Sequence, residues 1–114
     1  MLIIEADIHF YSPEDGKDGL SLDPDPRLVL RPSINLGGYL SSGTIIAEKS
    51  LDKMIRGQSY RVLIEMPLIF GEAYEDVKDS LIDGATFLIQ NGSRKIGTCR
   101  AISFVYEEDR VTRK

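Results

Sequence analysis

The residue types that most often perform catalysis are scarce in this sequence. It contains one histidine, His9, and one cysteine, Cys99. His9 falls on the polar side of an alternating segment, where an imidazole usually faces water, and no serine–histidine–aspartate arrangement can be read around it. Cys99 stands in an apolar segment, where a lone cysteine is usually a small buried side chain. We therefore predict that no residue of the chain acts as a nucleophile or a general base.

Carboxylates, metals and phosphates need equally specific arrangements, and the sequence lacks these too. Carboxylates cluster in PEDG, residues 13–16, and in EEDR, residues 107–110, which both read as solvated loops. General acid–base catalysis needs carboxyl groups held in a cleft. The stretch GSRKIG, residues 92–97, has two glycines but lacks the Gly-Lys-Ser/Thr ending of a nucleotide-binding loop. We expect no metal site, no cofactor and no bound nucleotide.

Length and charge set the class of protein. The chain has 114 residues, 42% of them hydrophobic, which suits one folded domain with a single core. Its 18 acidic and 14 basic residues give a net charge of −4. This charge argues against a broad, non-specific hold on nucleic acid but leaves room for a local basic patch. Without a signal-peptide pattern or a membrane-length apolar stretch, the sequence predicts a soluble, cytoplasmic domain with no membrane partner.

The segments that would position binding residues alternate with a period of two, which is typical of β-strands. The first predicted strand contains Ile4 to Tyr11, and the second strong one runs through RGQSYRVLIEM. Pro67 should end this strand, kink it or place it on an edge. Shorter strands are predicted in RLVL, SINL and GTIIAE. The buried faces should bring six apolar side chains into one core: Ile8, Phe10, Val62, Ile64, Phe87 and Ile89.

Turns and one helix complete the pattern. Asn91-Gly92 stands between two alternating runs, which is the strongest short hairpin signal because both residues tolerate a positive φ. A helical turn is predicted in FGEAYEDVKDSLIDG, with Gly84 as its C-terminal cap. We therefore predict an all-β fold, a small closed antiparallel β-barrel of about six strands over residues 1–106, with a charged tail at 107–114.

Four segments, in order, resemble the C-terminal β-barrel of translation elongation factor Tu: EADIHFYSPEDG, RPSINLGGYLSSGTI, GQSYRVLIEMPLIF and DGATFLIQNGSRKIGTCRAI. The family has an Arg-Pro and, ten residues later, a Thr-Gly-Thr-Ile; here Arg31-Pro32 and Ser42-Gly43-Thr44-Ile45 keep that spacing. The fixed positions of the family's final hairpin correspond to Gly84, Phe87, Gly92, Ser93 and Gly97. The resemblance runs from Ile4 to Ile102 and implies the barrel fold.

The resemblance implies only part of the activity of the whole factor. The given chain has neither a GTP-binding domain nor a second barrel, so we expect no GTP hydrolysis and no carriage of the aminoacyl end of tRNA. In the factor, this barrel contacts the T-arm of tRNA, the GTPase domain and the nucleotide-exchange factor. Alignment places the tRNA-facing positions at Ser33, Ser42, Asn91 and Gly92, near Arg94, and their polar character is kept although the side chains differ.

Two candidate binding surfaces follow. The first, which we call the hairpin patch, is a polar surface at the strand ends formed by Arg31, Ser33, Ser42, Asn91, Gly92, Arg94 and Lys95. Its basic residues suit phosphate; the alternative is that they only solubilise a turn. The second is the segment from Leu68 to Asp83, which is longer than the family's loop. It carries Phe70 and Tyr74 as candidate anchors for a separate partner.

Two classes of function remain open. The chain is either a binding module for RNA or a translation component, or a protein–protein interaction domain. An immunity or accessory protein that blocks a toxin or another enzyme is an example of the second class. The net charge of −4 favours a protein partner, since many toxin nucleases are basic and complementary charge speeds association. An enzyme is the third alternative.

Overall fold

The computed structural model describes residues 1–15, 17 and 19–107, which form one curled, half-barrel sheet. Its strands are β1 (Leu2–Phe10), β2 (Ser33–Leu36), β3 (Tyr39–Ser42), β4 (Thr44–Ile46), β5 (Ser59–Met66), β6 (Thr86–Asn91) and β7 (Arg94–Tyr106). They lie in the order β3-β2-β6-β7-β1-β5-β4, and neighbours are antiparallel. The helical elements of the described residues are α1 (Glu72–Val77) and two 3-10 turns, Pro13–Asp15 and Lys78–Ser80. The predicted all-β class is confirmed.

The core lies inside the curl because successive strand residues point to opposite faces. In β1 every second residue, from Leu2 to Phe10, is buried, and the residues between them are half-buried. β1 is covered on both sides, by β5 and by β7, so that Ile4 lies opposite both Ile64 and Phe104. All six residues predicted for the core belong to one buried cluster, which confirms the predicted strand faces.

One end of the sheet, which we call the helix end, is where Leu2 pairs with Met66 and Tyr106. The segment after β5 adds the buried side chains of Ile69 and Val77 to the core there. Strand β5 ends at Met66, as predicted, because the proline that follows it has no amide hydrogen for the strand ladder. The helical turn predicted in this segment is also confirmed, as α1.

The opposite end, which we call the hairpin end, is where β1 finishes and the β6–β7 hairpin turns. The loop before β5 adds the buried Met54 to the core, and the Gly57 amide donates a hydrogen bond to the Phe10 carbonyl oxygen at 2.8 Å. Gly97 lies opposite Phe10, and a β-carbon there would come within 2.3 Å of the His9 carbonyl oxygen. Only glycine permits this close approach of β7 to β1.

The two strands at the edges of the sheet, β3 and β4, are consecutive in the chain and separated only by Gly43. The amide of Gly43 donates to the Pro32 carbonyl oxygen at 2.9 Å, and the amide of Ile45 donates to the Leu30 carbonyl oxygen at 2.8 Å. The interruption at Gly43 divides this stretch into two short strands. The sequence pattern did not predict β3, whereas β4 lies within the predicted GTIIAE.

Two local predictions were wrong. RLVL does not form a strand, because the Asp25 carbonyl accepts the Leu28 amide and its carboxylate accepts the Arg27 amide, which makes a turn. Of that segment only Leu30 pairs, in a single bridge to Ile45. Gly84 has a positive φ of 86° but does not cap α1, which ends before it; its amide instead donates to the carbonyl oxygen of residue 101 beside β6.

The predicted charged tail, 107–114, lies outside the described residues except for Glu107, whose amide donates to the Met1 carbonyl oxygen at 3.0 Å. Among the described residues, no helix is long and apolar enough to span a membrane.

Candidate functional site

The hairpin patch is built on the tight turn between β6 and β7. Asn91 pairs with Arg94, so the two central residues of the turn are Gly92 and Ser93. Gly92 has a positive φ of 60°, and no residue other than glycine has one among those described. A glycine at the first central position is the pattern of a type II′ turn. The predicted hairpin is confirmed, but the turn is one residue later than Asn91-Gly92 suggested.

The strand register brings the two parts of the hairpin patch together. Ser33 of β2 lies between Ser42 of β3 and Gln90 of β6, and Gln90 lies opposite Lys95 of β7. Arg31, two residues before Ser33, donates from Nε to Oγ1 of Thr44 at 3.3 Å. Ser33 and Ser42 are half-buried, whereas Arg31 and the residues of the hairpin tip are exposed. The register therefore places Ser33 and Ser42 beside the β6 end of the hairpin, and binding by the hairpin patch remains a prediction.

Gln90 organises this surface and was missed by the sequence reasoning. Its Oε1 accepts a hydrogen bond from Nδ2 of Asn35 at 3.1 Å, and its Nε2 donates to the Gly92 carbonyl oxygen at 3.0 Å. Asn35 also accepts the Gly38 amide. A buried amide side chain that ties β2 to the hairpin tip fixes the turn geometry. The only sequence signal is a polar residue that interrupts the apolar run of β6.

Arg94 faces away from β2 and β3, into two adjoining clefts that we call the basic groove. One cleft, of about 600 Å³, is lined by the loop after β1 and by Arg56. The other, of about 570 Å³, is lined by Ser93 and Lys95. Tyr11, Lys17 and Arg94 line both clefts, whereas Arg31, Ser33 and Ser42 line neither.

The cations of the basic groove are held in place by the loop that they surround. Arg94 donates to the Gly19 carbonyl oxygen, and NH1 of Arg56 donates to the neighbouring Leu20 carbonyl oxygen at 2.6 Å. Arg56 also donates to the Asp23 carboxylate, from Nε at 2.9 Å and from its amide at 3.1 Å. These two hydrogen bonds hold the pKa of Asp23 below its usual value. The ammonium of Lys17 lies 5.7 Å from the centroid of the Tyr11 ring.

Phe70 and Tyr74, the predicted anchors, lie at the helix end, far from the hairpin patch. Their side chains differ in how far they are exposed to solvent. The Tyr74 ring stacks on Tyr106, with centroids 3.6 Å apart and planes at 7°, and it packs against the core. Phe70 is 43% exposed, and two other apolar residues of the segment between β5 and β6 are more exposed, Leu68 at 61% and Ile82 at 63%. Tyr74 is therefore partly covered, whereas Leu68, Phe70 and Ile82 are exposed, and contact of Phe70 or Tyr74 with a partner remains a prediction.

The contacts of His9, Ser12, Asp15 and Cys99 bear on the prediction that none of them is catalytic. Asp15 lies between Ser12 and His9: its carboxylate accepts the Ser12 amide at 2.7 Å and contacts Nε2 of His9 at 3.1 Å. Both contacts lower the pKa of Asp15, and the hydrogen bond from the Ser12 amide has the larger effect. The Ser12 hydroxyl contacts the carboxylate at 3.3 Å rather than His9, so these three residues lack the serine–histidine contact of a catalytic triad. Burial raises the pKa of the Cys99 thiol to about 12, which keeps it protonated and unreactive.

No group of three or more histidine, cysteine or acidic residues is arranged to hold a metal ion within the described part of the chain. In comparisons with known proteins, the sequence matches no protein-family model, and no curated protein is significantly similar to it. The functional interpretation therefore depends on the two surfaces described above.

Proposed function

We propose that the chain is a non-catalytic binding module of the elongation factor Tu C-terminal barrel type, and that it binds a protein partner through its helix end. The partner is a translation component or, as the alternative, a toxin or enzyme that the module blocks. The support comes from two features: the way the sheet returns on itself at Gly43, and the exposed apolar side chains beside α1.

The first feature supports the resemblance to the barrel. If β3 and β4 are counted as one strand bent at Gly43, the sheet has six strands. The bonds from Gly43 to Pro32 and from Ile45 to Leu30 then join the β4 edge to the segment that leads into β2. Such contacts favour a closed barrel of six strands, the architecture that the sequence resemblance implies.

The second feature carries the proposal of a protein partner. The segment between β5 and β6 turns Leu68, Phe70 and Ile82 towards solvent, while Ile69 and Val77 fix it to the core. Apolar side chains that are exposed on a firmly attached segment can bind without a large loss of conformational entropy. Aromatic and aliphatic anchors of this kind often carry most of the affinity of an interface.

The test is affinity capture from the source cell lysate, with and without RNase, using three forms of the protein. The first is the wild type, the second is Phe70→Ala/Ile82→Ala, and the third is Leu28→Ala/Val29→Ala. The third is a matched control, because Leu28 and Val29 are equally apolar and exposed but lie in a separate loop.

We expect one protein to be retained by the wild type and the control, in an RNase-independent way, and to be lost or weakened at least about tenfold with the helix-end variant. Isothermal titration with the purified partner gives the affinities. Capture that depends on RNA, or that is unchanged in the helix-end variant, would refute the proposed surface.

A further inference from the structure

The basic groove concentrates positive charge in a protein whose net charge is −4. Four cations line it, and none of its described lining residues is acidic. Elsewhere in the described structure, cations such as Arg27, Arg61 and Lys78 have carboxylate partners within 4.0 Å. Other described cations, such as Arg31 and Lys49, also have no ion pair with a described carboxylate, so what sets the groove apart is that four cations line one pair of adjoining clefts.

Three of the four groove cations have no anionic partner among the residues that the structure describes. Arg56 is neutralised by Asp23, but Lys17, Arg94 and Lys95 make no ion pair with any described carboxylate. The side-chain contact of Arg94 is a neutral carbonyl oxygen, which leaves its charge uncompensated. Like charges held close together repel one another, and an anionic ligand relieves that repulsion.

We propose that the basic groove binds a small ligand that carries two neighbouring phosphate groups. Two phosphate groups carry about three to four negative charges near neutral pH, which matches three unneutralised cations. The two clefts adjoin through the shared Lys17 and Arg94, so each can take one phosphate group. Arg94 supplies a planar pair of donors for phosphate oxygens, and Ser21 and Ser93 add a hydroxyl in each cleft.

The groove is also organised in advance of binding. Arg94 and Arg56 hold two successive carbonyl oxygens of one loop, those of Gly19 and Leu20. Tyr11 forms the buried floor beneath Lys17. Side chains fixed in this way lose little freedom when a ligand arrives. This site lies at the opposite end of the sheet from Phe70 and does not depend on the proposed protein partner.

The direct test is a titration of the ¹⁵N-labelled chain with inorganic pyrophosphate at low salt, followed by NMR. Saturable shifts should be confined to the amides lining the groove, such as those of Gly19, Ser21 and Ser93. Pyrophosphate should bind at least about tenfold more tightly than orthophosphate, which has one group, and than citrate, whose three carboxylates supply similar charge. Equal binding of citrate, or shifts scattered over the surface, would overturn the proposal.

Paired variants with the same change in net charge separate the groove from bulk electrostatics. Lys17→Gln/Arg94→Gln should weaken pyrophosphate binding at least about tenfold, whereas Arg27→Gln/Lys78→Gln should leave it unchanged. Because Arg94 also supports the loop at Gly19, Ser93→Asp provides a second test. It places a carboxylate in the groove from an exposed turn position and should also weaken binding. Equal effects of the two double variants would refute the site.

A nucleic-acid backbone is the other source of neighbouring phosphates, and one further titration distinguishes it. An oligouridylate of eight nucleotides without a terminal phosphate presents only singly charged diesters. We expect it to bind more weakly than pyrophosphate. Tighter binding of the oligonucleotide, lost in the Lys17→Gln/Arg94→Gln variant, would overturn the small-ligand assignment and identify the groove as a track for nucleic acid.

Discussion

Gly43 provides a sharp test of how the sheet curls, because a methyl group added there enters the core. A β-carbon at this position would lie 2.7 Å from Cγ2 of Ile64, 3.2 Å from Cγ1 of Ile34 and 3.3 Å from Cγ of Met66. Ordinary contacts of a β-carbon begin at 3.4 Å. All three neighbours are completely buried, so none can turn towards solvent to make room. We therefore expect Gly43→Ala to destabilise the protein.

The size of the effect follows from two opposing contributions. Overpacking a core typically costs about 1–3 kcal/mol. Replacing glycine by alanine also restricts the unfolded chain, which offsets about 0.4–1 kcal/mol of that cost. Three contacts are too close, so the overpacking cost should lie in the upper part of its range, about 2–3 kcal/mol. The free energy of unfolding of Gly43→Ala should therefore fall by about 1–2.6 kcal/mol, measured by urea denaturation followed by circular dichroism.

A double-mutant cycle identifies the cause. Ile64→Ala alone should cost about 2–5 kcal/mol, because it empties part of the core. It also removes the methyl group that an alanine at position 43 would strike. Adding Gly43→Ala in the Ile64→Ala background should then be neutral or slightly stabilising. The coupling free energy between the two positions should be about 1–3 kcal/mol.

Either of two results would contradict the expected contact between position 43 and Ile64. If Gly43→Ala is as stable as the wild type, the bend between β3 and β4 does not pass over Ile64. If Gly43→Ala costs the same in both backgrounds, its effect comes from the backbone and not from this contact. Both results would remove the main structural support for a barrel that closes at Gly43.

Four further predictions concern the core, the thiol and the helix end. Phe87→Ala should lower the free energy of unfolding by about 3–5 kcal/mol because its ring is buried, while the exposed Leu63→Ala should cost under about 1 kcal/mol in the same urea assay. Burial raises the pKa of Cys99 from 9.0 to about 12, so the native thiol should not react with a disulfide reagent at pH 8 until urea unfolds the chain. The folded state holds this proton more tightly, so stability should fall as the pH rises from about 9 towards 12, and less so in Cys99→Ala. Tyr106→Phe removes the hydroxyl oxygen that accepts the Gly71 amide at 3.0 Å, which should cost about 0.5–1.5 kcal/mol and speed hydrogen exchange of that amide; unchanged exchange would contradict the contact.

The strands that the sequence predicted well are those whose structure is decided by local alternation. β1 has the predicted face because its apolar residues recur with a period of two over nine residues. The hairpin at Gly92 was also predictable, since a glycine between alternating runs marks a turn. Its exact register was not, because the Asn91–Arg94 pairing depends on the bulge between Ile89 and Gln90.

Features that depend on contacts between distant segments could not be predicted. The alternation in RLVL looked like a strand, but the only pairing of this segment is the bridge from Leu30 to Ile45. That bridge depends on β4, which is itself held against β5. Lys17, Arg56 and Arg94 are far apart in the sequence, and no local pattern indicates that they line one groove. The sequence singled out Arg94 from the resemblance and from its place beside the turn, and missed the other two.

The roles of the aromatic residues at the helix end also depend on contacts with distant segments. Phe70 and Tyr74 are four residues apart and both looked like contact residues for a partner. Tyr74 is taken up by a stack with Tyr106, which is distant in sequence and arrives there only because β7 runs the full length of the sheet. Tyr74 and Val77, three residues apart on α1, share the side of the helix that packs on the core.

The length of β7 also decides how the two proposed sites relate. β7 has 13 residues, with Arg94 at one end and Tyr106, beside the helix end, at the other. At about 3.3 Å per residue it spans up to about 40 Å, which agrees with a longest molecular dimension of 46 Å. A protein interface of standard size covers about 800 Å² on each partner, or a patch roughly 30 Å across. A partner centred on Phe70 would therefore leave the basic groove open. Saturating pyrophosphate should not displace it, and displacement would mean that the two ends are coupled or that the partner occupies the groove itself.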